Sequence, residues 1–150
     1  MILVVDNRDS FVWNLASYAG LRTSVEVVPN TMDAGEALDR LPAGIIISPG
    51  PGSPETPSCV GSVPDILKRS SCPVLGVCLG HQLLTVACGG RVAPNPAGKQ
   101  MGVVPVGYTA SARGERMFGA SAGQGGVGAI QWNNDIAVEL PADATLLAAT

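Results

Sequence analysis

A single histidine, His81, is all that these 150 residues contain. Chemistry that depends on a histidine base therefore has one candidate. Lysine is almost as scarce. Only Lys68 and Lys99 are present, and the rest of the nine basic residues are scattered arginines. With a formal net charge of −3 and a pI near 4.9, no basic stripe can be drawn along the chain, which argues against nucleic acid as a partner. No apolar run approaches the roughly 20 residues of a membrane span, so no membrane partner is expected. The opening run Met1–Val5 is too short for the core of a secretory signal and ends at Asp6-Asn7-Arg8-Asp9. A reduced, cytoplasmic setting is the expectation. The four cysteines, at positions 59, 72, 78 and 88, show neither a Cys-x-x-Cys pair nor zinc-ligand spacing. No metal or organic cofactor is expected.

What the chain has in quantity is apolar residues, at 46% against only 14% charged, a balance that suits a sheet covered on both faces. Its length fits one domain, 1–150, with a core of useful size. Nineteen glycines and twelve prolines punctuate the apolar runs as tight loops. Met1–Val5 reads as a buried parallel strand. Asp9 and Ser10 supply N-cap chemistry for a helix carrying Phe11, Val12, Leu15, Ala16 and Ala19 on its apolar side and stopped by Gly20. Val25–Val28 is a second strand, Ala34–Leu41 a short helix and Ile45–Ile47 a third strand. Val60–Arg69 is helical, Val74–Val77 is a fourth strand, and Leu79–Cys88 is helical. This alternation predicts an α/β fold with an open, doubly wound, mostly parallel sheet flanked by helices. Beyond Gly89-Gly90 the segments 103–108, 127–132, 136–140 and 146–149 read as short antiparallel strands at the sheet edge.

In such sheets ligands sit beyond the carboxyl ends of the strands. Three loops fall there: Asp6–Ser10, Ser48–Pro57 and the segment around Cys78. The last carries the sharpest signal. Pro73-Val74-Leu75-Gly76-Val77 runs into a cysteine with a glycine two residues away on either side, Gly76 and Gly80, and a helix follows at once. Gly-x-nucleophile-x-Gly between strand and helix is the pattern of a nucleophile elbow. The glycines are expected to permit the turn and leave room beside the sulfur. The helix start favours thiolate over thiol. Most buried cysteines are small core residues; the elbow spacing sets Cys78 apart as a nucleophile. His81 lies about 300° around the helix from Cys78, so it is poorly directed as the base.

The Pro49-Gly50-Pro51-Gly52 loop is stiff and poor in side chains, and its glycines expose backbone N–H groups. Together with the N–H of Leu79, that of Gly50 would form an oxyanion hole, each donor lowering the barrier by roughly 3 kcal/mol. Gln82 lies one helical turn beyond Cys78 and can face the same cleft.

Gly76-Val77-Cys78-Leu79-Gly80-His81-Gln82, the upstream run from Ser48 to Glu55 and the opening run from Val4 to Leu15 stand in the order and spacing of a class I (triad) glutamine amidotransferase. The chain resembles that family over residues 1–90. The Asp6-Asn7-Arg8-Asp9-Ser10-Phe11 run is most similar to the glutaminase component (component II) of anthranilate synthase and of aminodeoxychorismate synthase. The resemblance implies a flavodoxin-like fold. It makes Cys78 the residue that attacks the glutamine side-chain amide, releases ammonia and leaves a glutamyl thioester for water to cleave. Gly50 and Leu79 would supply the oxyanion N–H groups, while Gly50, Pro51, Gly52 and Gln82 would hold the glutamine. The ammonia would pass to a synthase subunit or fused domain, one that uses chorismate.

The second half, from Asn95 to Gly102 and from Gln131 to Pro141, looks more like the GMP-synthetase-like members. Where those commonly show Trp-His-x-Asp, this chain has Trp132-Asn133-Asn134-Asp135. The family's His-Pro-Glu run is absent, so the resemblance implies a domain incomplete at its C-terminus, without counterparts for the base and its orienting carboxylate. Three readings stay open. The chain is a glutaminase feeding a chorismate-using synthase, or a truncated or degenerate member with little turnover, or a member of the same superfamily with another acceptor.

Overall fold

The structure, a computed structural model, describes residues 1–124 and 126–150. They form two compact units, Met1–Val92 with Ala137–Pro141, and Ala93–Ile136 with Ala142–Thr150.

In the first unit β1 (Ile2–Asp6), β2 (Val25–Pro29), β3 (Gly44–Ile47) and β4 (Val74–Gly76) form a parallel sheet in the order β2-β1-β3-β4. Leu3 sits between Glu26 and Ile45, Val5 between Val28 and Ile47, and Ile47 also faces Gly76. Five helices connect the strands: α1 (Val12–Gly20), α2 (Ala34–Leu38), α3 (Pro57–Val60), α4 (Val63–Arg69) and α5 (Leu79–Ala87). Successive strand side chains point to opposite faces. Leu3, Val5, Ile45 and Ile47 accordingly pack with Ala37, Val63, Ile66, Leu79 and Leu83 from α2, α4 and α5. Val4 packs on the other face with Val12 and Ala16 of α1, joined by Ile2 and Ile46. This two-sided burial is why the strands read as unbroken apolar runs. Each fully buried Leu, Ile or Val contributes about 1.5–3 kcal/mol of transfer free energy.

Three helix expectations need correction. Helix α1 starts at Val12, with Phe11 at the cap and no side-chain capping bond. Asp9 instead shapes the preceding turn, its carboxylate accepting the Phe11 N–H at 2.8 Å, and Phe11 is exposed rather than apolar-face core. The helix from Ala34 stops at Leu38, and Leu41 lies outside it at a positive φ of 51°. The expected helix 60–69 is two helices, broken at Gly61 (φ 53°), where a Cβ would fall 2.2 Å from the Asn30 carbonyl oxygen. The chain thus gives up helix continuity for contact with the loop after β2.

The chain continues with β5 (Arg91–Pro94), β6 (Gln100–Tyr108), β7 (Val127–Asn133), β8 (Asp135–Glu139) and β9 (Ala148–Ala149), which pair as β5-β8 and β7-β6-β9. Strands β6 and β7 run antiparallel with Gln100 opposite Asn133 and Val106 opposite Val127, and β9 pairs antiparallel with Gly107 and Tyr108. Strand β5, a 3-10 turn at Ala110–Gly114 and α6 (Gly119–Ala122) have no counterpart in the sequence reading. No helix among the described residues is long and apolar enough to cross a membrane.

Candidate active site

The Val77 N–H donates to the Ile47 carbonyl at 3.0 Å, extending the β3–β4 ladder by one residue. The chain then turns at Cys78, whose φ of 54° and ψ of −112° are unusual for a residue with a side chain. Such a conformation costs of order 1–3 kcal/mol and persists where surrounding structure imposes it. The strained residue is the cysteine, not the glycines beside it. Those glycines serve another purpose from the one the sequence suggested. A Cβ on Gly76 would lie 2.4 Å from the Gly80 carbonyl oxygen, and one on Gly80 would lie 2.2 Å from that of Ile47. The space is filled by backbone, so the first turn of α5 rests directly on the ends of β3 and β4.

Leu79 is buried in the core with Leu83. The Gln82 N–H donates to the Cys78 carbonyl at 3.1 Å, and the Gln82 side chain is mostly buried, at 8% exposure. A lone glutamine on a helix is ordinarily solvated surface; this one is buried.

Adjacency of β3 and β4 sets the Pro49–Gly52 loop beside the elbow. A Cβ on Gly50 would fall 2.8 Å from Leu79 Cδ2 and 2.6 Å from Asn7 Cβ, so the loop backbone is pressed between these two side chains. Gly52 has φ 83° and lies over Cys59, whose sulfur would be 2.5 Å from an added Cβ. Pro51 and Gly52 are exposed.

Buried polar side chains that the sequence reading passed over fix this loop. The Asn7 N–H donates to Ser48 Oγ and its Nδ2 to the Ser48 carbonyl, both at 2.9 Å. Ser48 Oγ in turn donates to the Pro49 carbonyl at 2.7 Å. Asn30 Nδ2 donates to Asn7 Oδ1 at 3.1 Å and to the Cys59 carbonyl at 2.8 Å. Asn7, Asn30 and Ser48 are each at most 1% exposed. A signal for them exists in the sequence: each follows an apolar strand at the carboxyl edge of the sheet. Beside Asn7, Arg8 has a positive φ of 64° and its guanidinium donates to the Ser58 carbonyl.

Electrostatics at the elbow run against the simple helix-start expectation. Desolvation pushes the Cys78 thiol above its ordinary value, and the Asp9 carboxylate adds to the effect. The Leu79 N–H, which hydrogen-bonds the sulfur, pulls the other way but does not win. Burial lowers the His81 imidazole below its ordinary value, which favours the neutral ring. Asp135 opens β8 in the second unit, where its carboxylate accepts from Asn134 Nδ2 at 3.0 Å. Among the cysteines, Cys78 and Cys88 are exposed, while Cys59 and Cys72 are partly covered. No group of three or more His, Cys, Asp or Glu among the described residues is placed to hold a metal ion.

The chain is similar to proteins of known family. Over 92 residues the chain is 55% identical to anthranilate synthase component 2 of Thermococcus kodakarensis, covering 61% of this chain and 48% of that one. It is 47% identical, also over 92 residues, to anthranilate synthase component 2 of Methanocaldococcus jannaschii, covering 61% of this chain and 45% of that one. The chain spans about half the length of these curated relatives. Among solved structures, a putative GMP synthase protein of Thermoplasma acidophilum superposes with a TM-score of 0.80 at 28% identity, covering 98% of this chain and 71% of that one. The family described as glutamine amidotransferase class-I matches residues 3–147. With a parallel sheet, a cysteine elbow and that match, the chain belongs to the class I glutamine amidotransferase family.

Proposed function

We propose that the protein is a glutaminase component of the anthranilate synthase component II type, with Cys78 as its nucleophile. The observation that carries this reading is the strained Cys78 elbow, with the Gly50 loop packed on Leu79 next to it. Cys78 sulfur, having lost its proton, attacks the side-chain carbonyl carbon of glutamine. The C–N bond breaks, and the nitrogen takes up a proton and leaves as ammonia. Water then adds to the thioester carbonyl, releasing glutamate and restoring the thiol. The Gly50 and Leu79 N–H groups stabilise the oxyanion in both steps. Gly50, Pro51, Gly52 and Gln82 hold the glutamine. The ammonia goes to a synthase partner that uses chorismate.

A second reading, a member with little turnover, draws on the raised Cys78 thiol and on His81 as the one histidine in the chain. General acid–base help is worth roughly 10²–10⁴ in rate. Steady-state ammonia release by the 150-residue chain is therefore expected to lie at least about a hundredfold below that of a relative bearing the His-Pro-Glu run. Release at the relative's rate would mean that a residue of this chain replaces the base. The nucleophile itself is tested with a chloroketone analogue of glutamine and peptide mapping. Cys78 should be modified and Cys88, which is also exposed, should not. Equal modification of the two would end the case for a glutamine-directed nucleophile.

A further inference from the structure

Asn30 lies at the end of β2, and the glutaminase reading gives it no part. Its side-chain nitrogen nonetheless makes two hydrogen bonds. One Nδ2 hydrogen goes to Asn7 Oδ1 and the other to the Cys59 carbonyl. Its backbone carbonyl accepts from the Ser62 N–H at 2.8 Å and from Ser62 Oγ at 2.9 Å, and its own N–H donates to the Asp6 carbonyl at 3.0 Å. These bonds reach both ends of the loop that carries Gly50. Upstream, Asn7 grips Ser48 through two bonds, and Ser48 grips Pro49. Downstream, Cys59 underlies Gly52.

We infer that Asn30 is a positioning residue for the Gly50 loop: through Asn7 and Cys59 it holds both ends of that loop, setting the height of the Gly50 N–H beside Cys78. The inference rests on the reading of Cys78 and Gly50 as glutamine-directed chemistry. The physical reason is that the loop lacks side chains able to hold it. Prolines stiffen it, but Gly50 contributes no contact of its own beyond its backbone. A donor misplaced by about 1 Å loses much of its worth, on the order of a hundredfold in rate. A buried, hydrogen-bonded amide network provides the rigidity the loop lacks.

The test compares two reagents on the intact chain. A chloroketone analogue of glutamine needs the loop to bind and to polarise its carbonyl, whereas iodoacetamide needs only an accessible Cys78 thiolate. Asn30→Asp keeps the shape but removes both donors and sets a carboxylate against two acceptor oxygens. It is expected to slow analogue modification of Cys78 by at least about tenfold while iodoacetamide modification changes less than about twofold. A purely structural loss would slow both reagents together. Should Asn30→Asp fail to fold by circular dichroism, Asn30→Ser, which removes the same two donors without setting a charge there, carries the test with an expected loss of about threefold. Analogue modification at the wild-type rate in the folded variants overturns the inference. Wild-type chain in which the analogue shows no preference for Cys78 over Cys88 overturns the glutamine reading itself, a result told apart because it needs no variant.

Discussion

Strands β1 and β6 are both apolar, yet their environments are opposite. In β1, Leu3, Val4 and Val5 are completely buried, whereas in β6 Met101 is 54% and Val103 72% exposed. The cross-strand partners of these two β6 residues, Trp132 and Ile130, are exposed as well. Strand β1 is flanked by β2 and β3 and covered by helices on both faces, so its three central positions are interior. An apolar run therefore reports what a strand can bury; layers on its two faces decide what it does bury.

Truncating one residue in each strand should separate the two environments by the largest margin. Leu3→Ala removes a side chain from a packed core and should cost about 2–5 kcal/mol. Val103→Ala, at a surface position, should stay within about 0.5 kcal/mol. Urea unfolding followed by circular dichroism measures both. Equal losses would mean that the β6 face is as well packed in solution as the core of the parallel sheet.

Glycines sharpen the same contrast. Gly80→Ala places a methyl against the Ile47 carbonyl, while Gly107 in β6 has nothing nearer than 3.9 Å. The strand backbone at Ile47 cannot give way as a flexible side chain can. Gly80→Ala is expected to destabilise by about 1–3 kcal/mol and to reduce alkylation of Cys78 by the glutamine analogue. Gly107→Ala should change neither beyond a few tenths of a kcal/mol. A well-tolerated Gly80→Ala would show that the helix start can lift off the strand ends.

Much of the parallel half is legible in the sequence because unbroken apolar strands, glycine stops and the Gly-x-Cys-x-Gly spacing are local signals. What escapes is non-local. The break at Gly61 follows from its contact with Asn30, 31 positions away in the chain. The network of Asn7, Asn30 and Ser48 joins three loops whose meeting depends on strand order. At the candidate site, the cysteine and the Pro-Gly-Pro-Gly loop can be read directly, since residue type and spacing carry them. The direction of the Cys78 shift cannot, because desolvation and the neighbourhood of Asp9 outweigh the Leu79 N–H only in the folded chain. Short elements such as β5 and α6 lack enough residues to show a period.

The smallest expected effect concerns His81, which belongs to the first unit, while the second unit contains no histidine. Burial lowers the His81 pKa in the folded state. Between that lowered value and the ordinary one, about 6.5, the unfolded chain binds more protons than the folded one. Stability therefore rises with pH across this window and is lost as pH falls through it, because the unfolded imidazole takes a proton that the folded one refuses. The residue as a whole is exposed, which keeps the change small. Urea midpoints of the wild-type chain should be level from pH 8 to 7 and decline as pH falls below about 6.5. His81→Gln removes the only group that ordinarily titrates near that pH, so its midpoints should stay flatter there. Parallel profiles for the two chains would show that His81 is as well solvated folded as unfolded, and a neutral imidazole would then no longer distinguish the elbow from open surface.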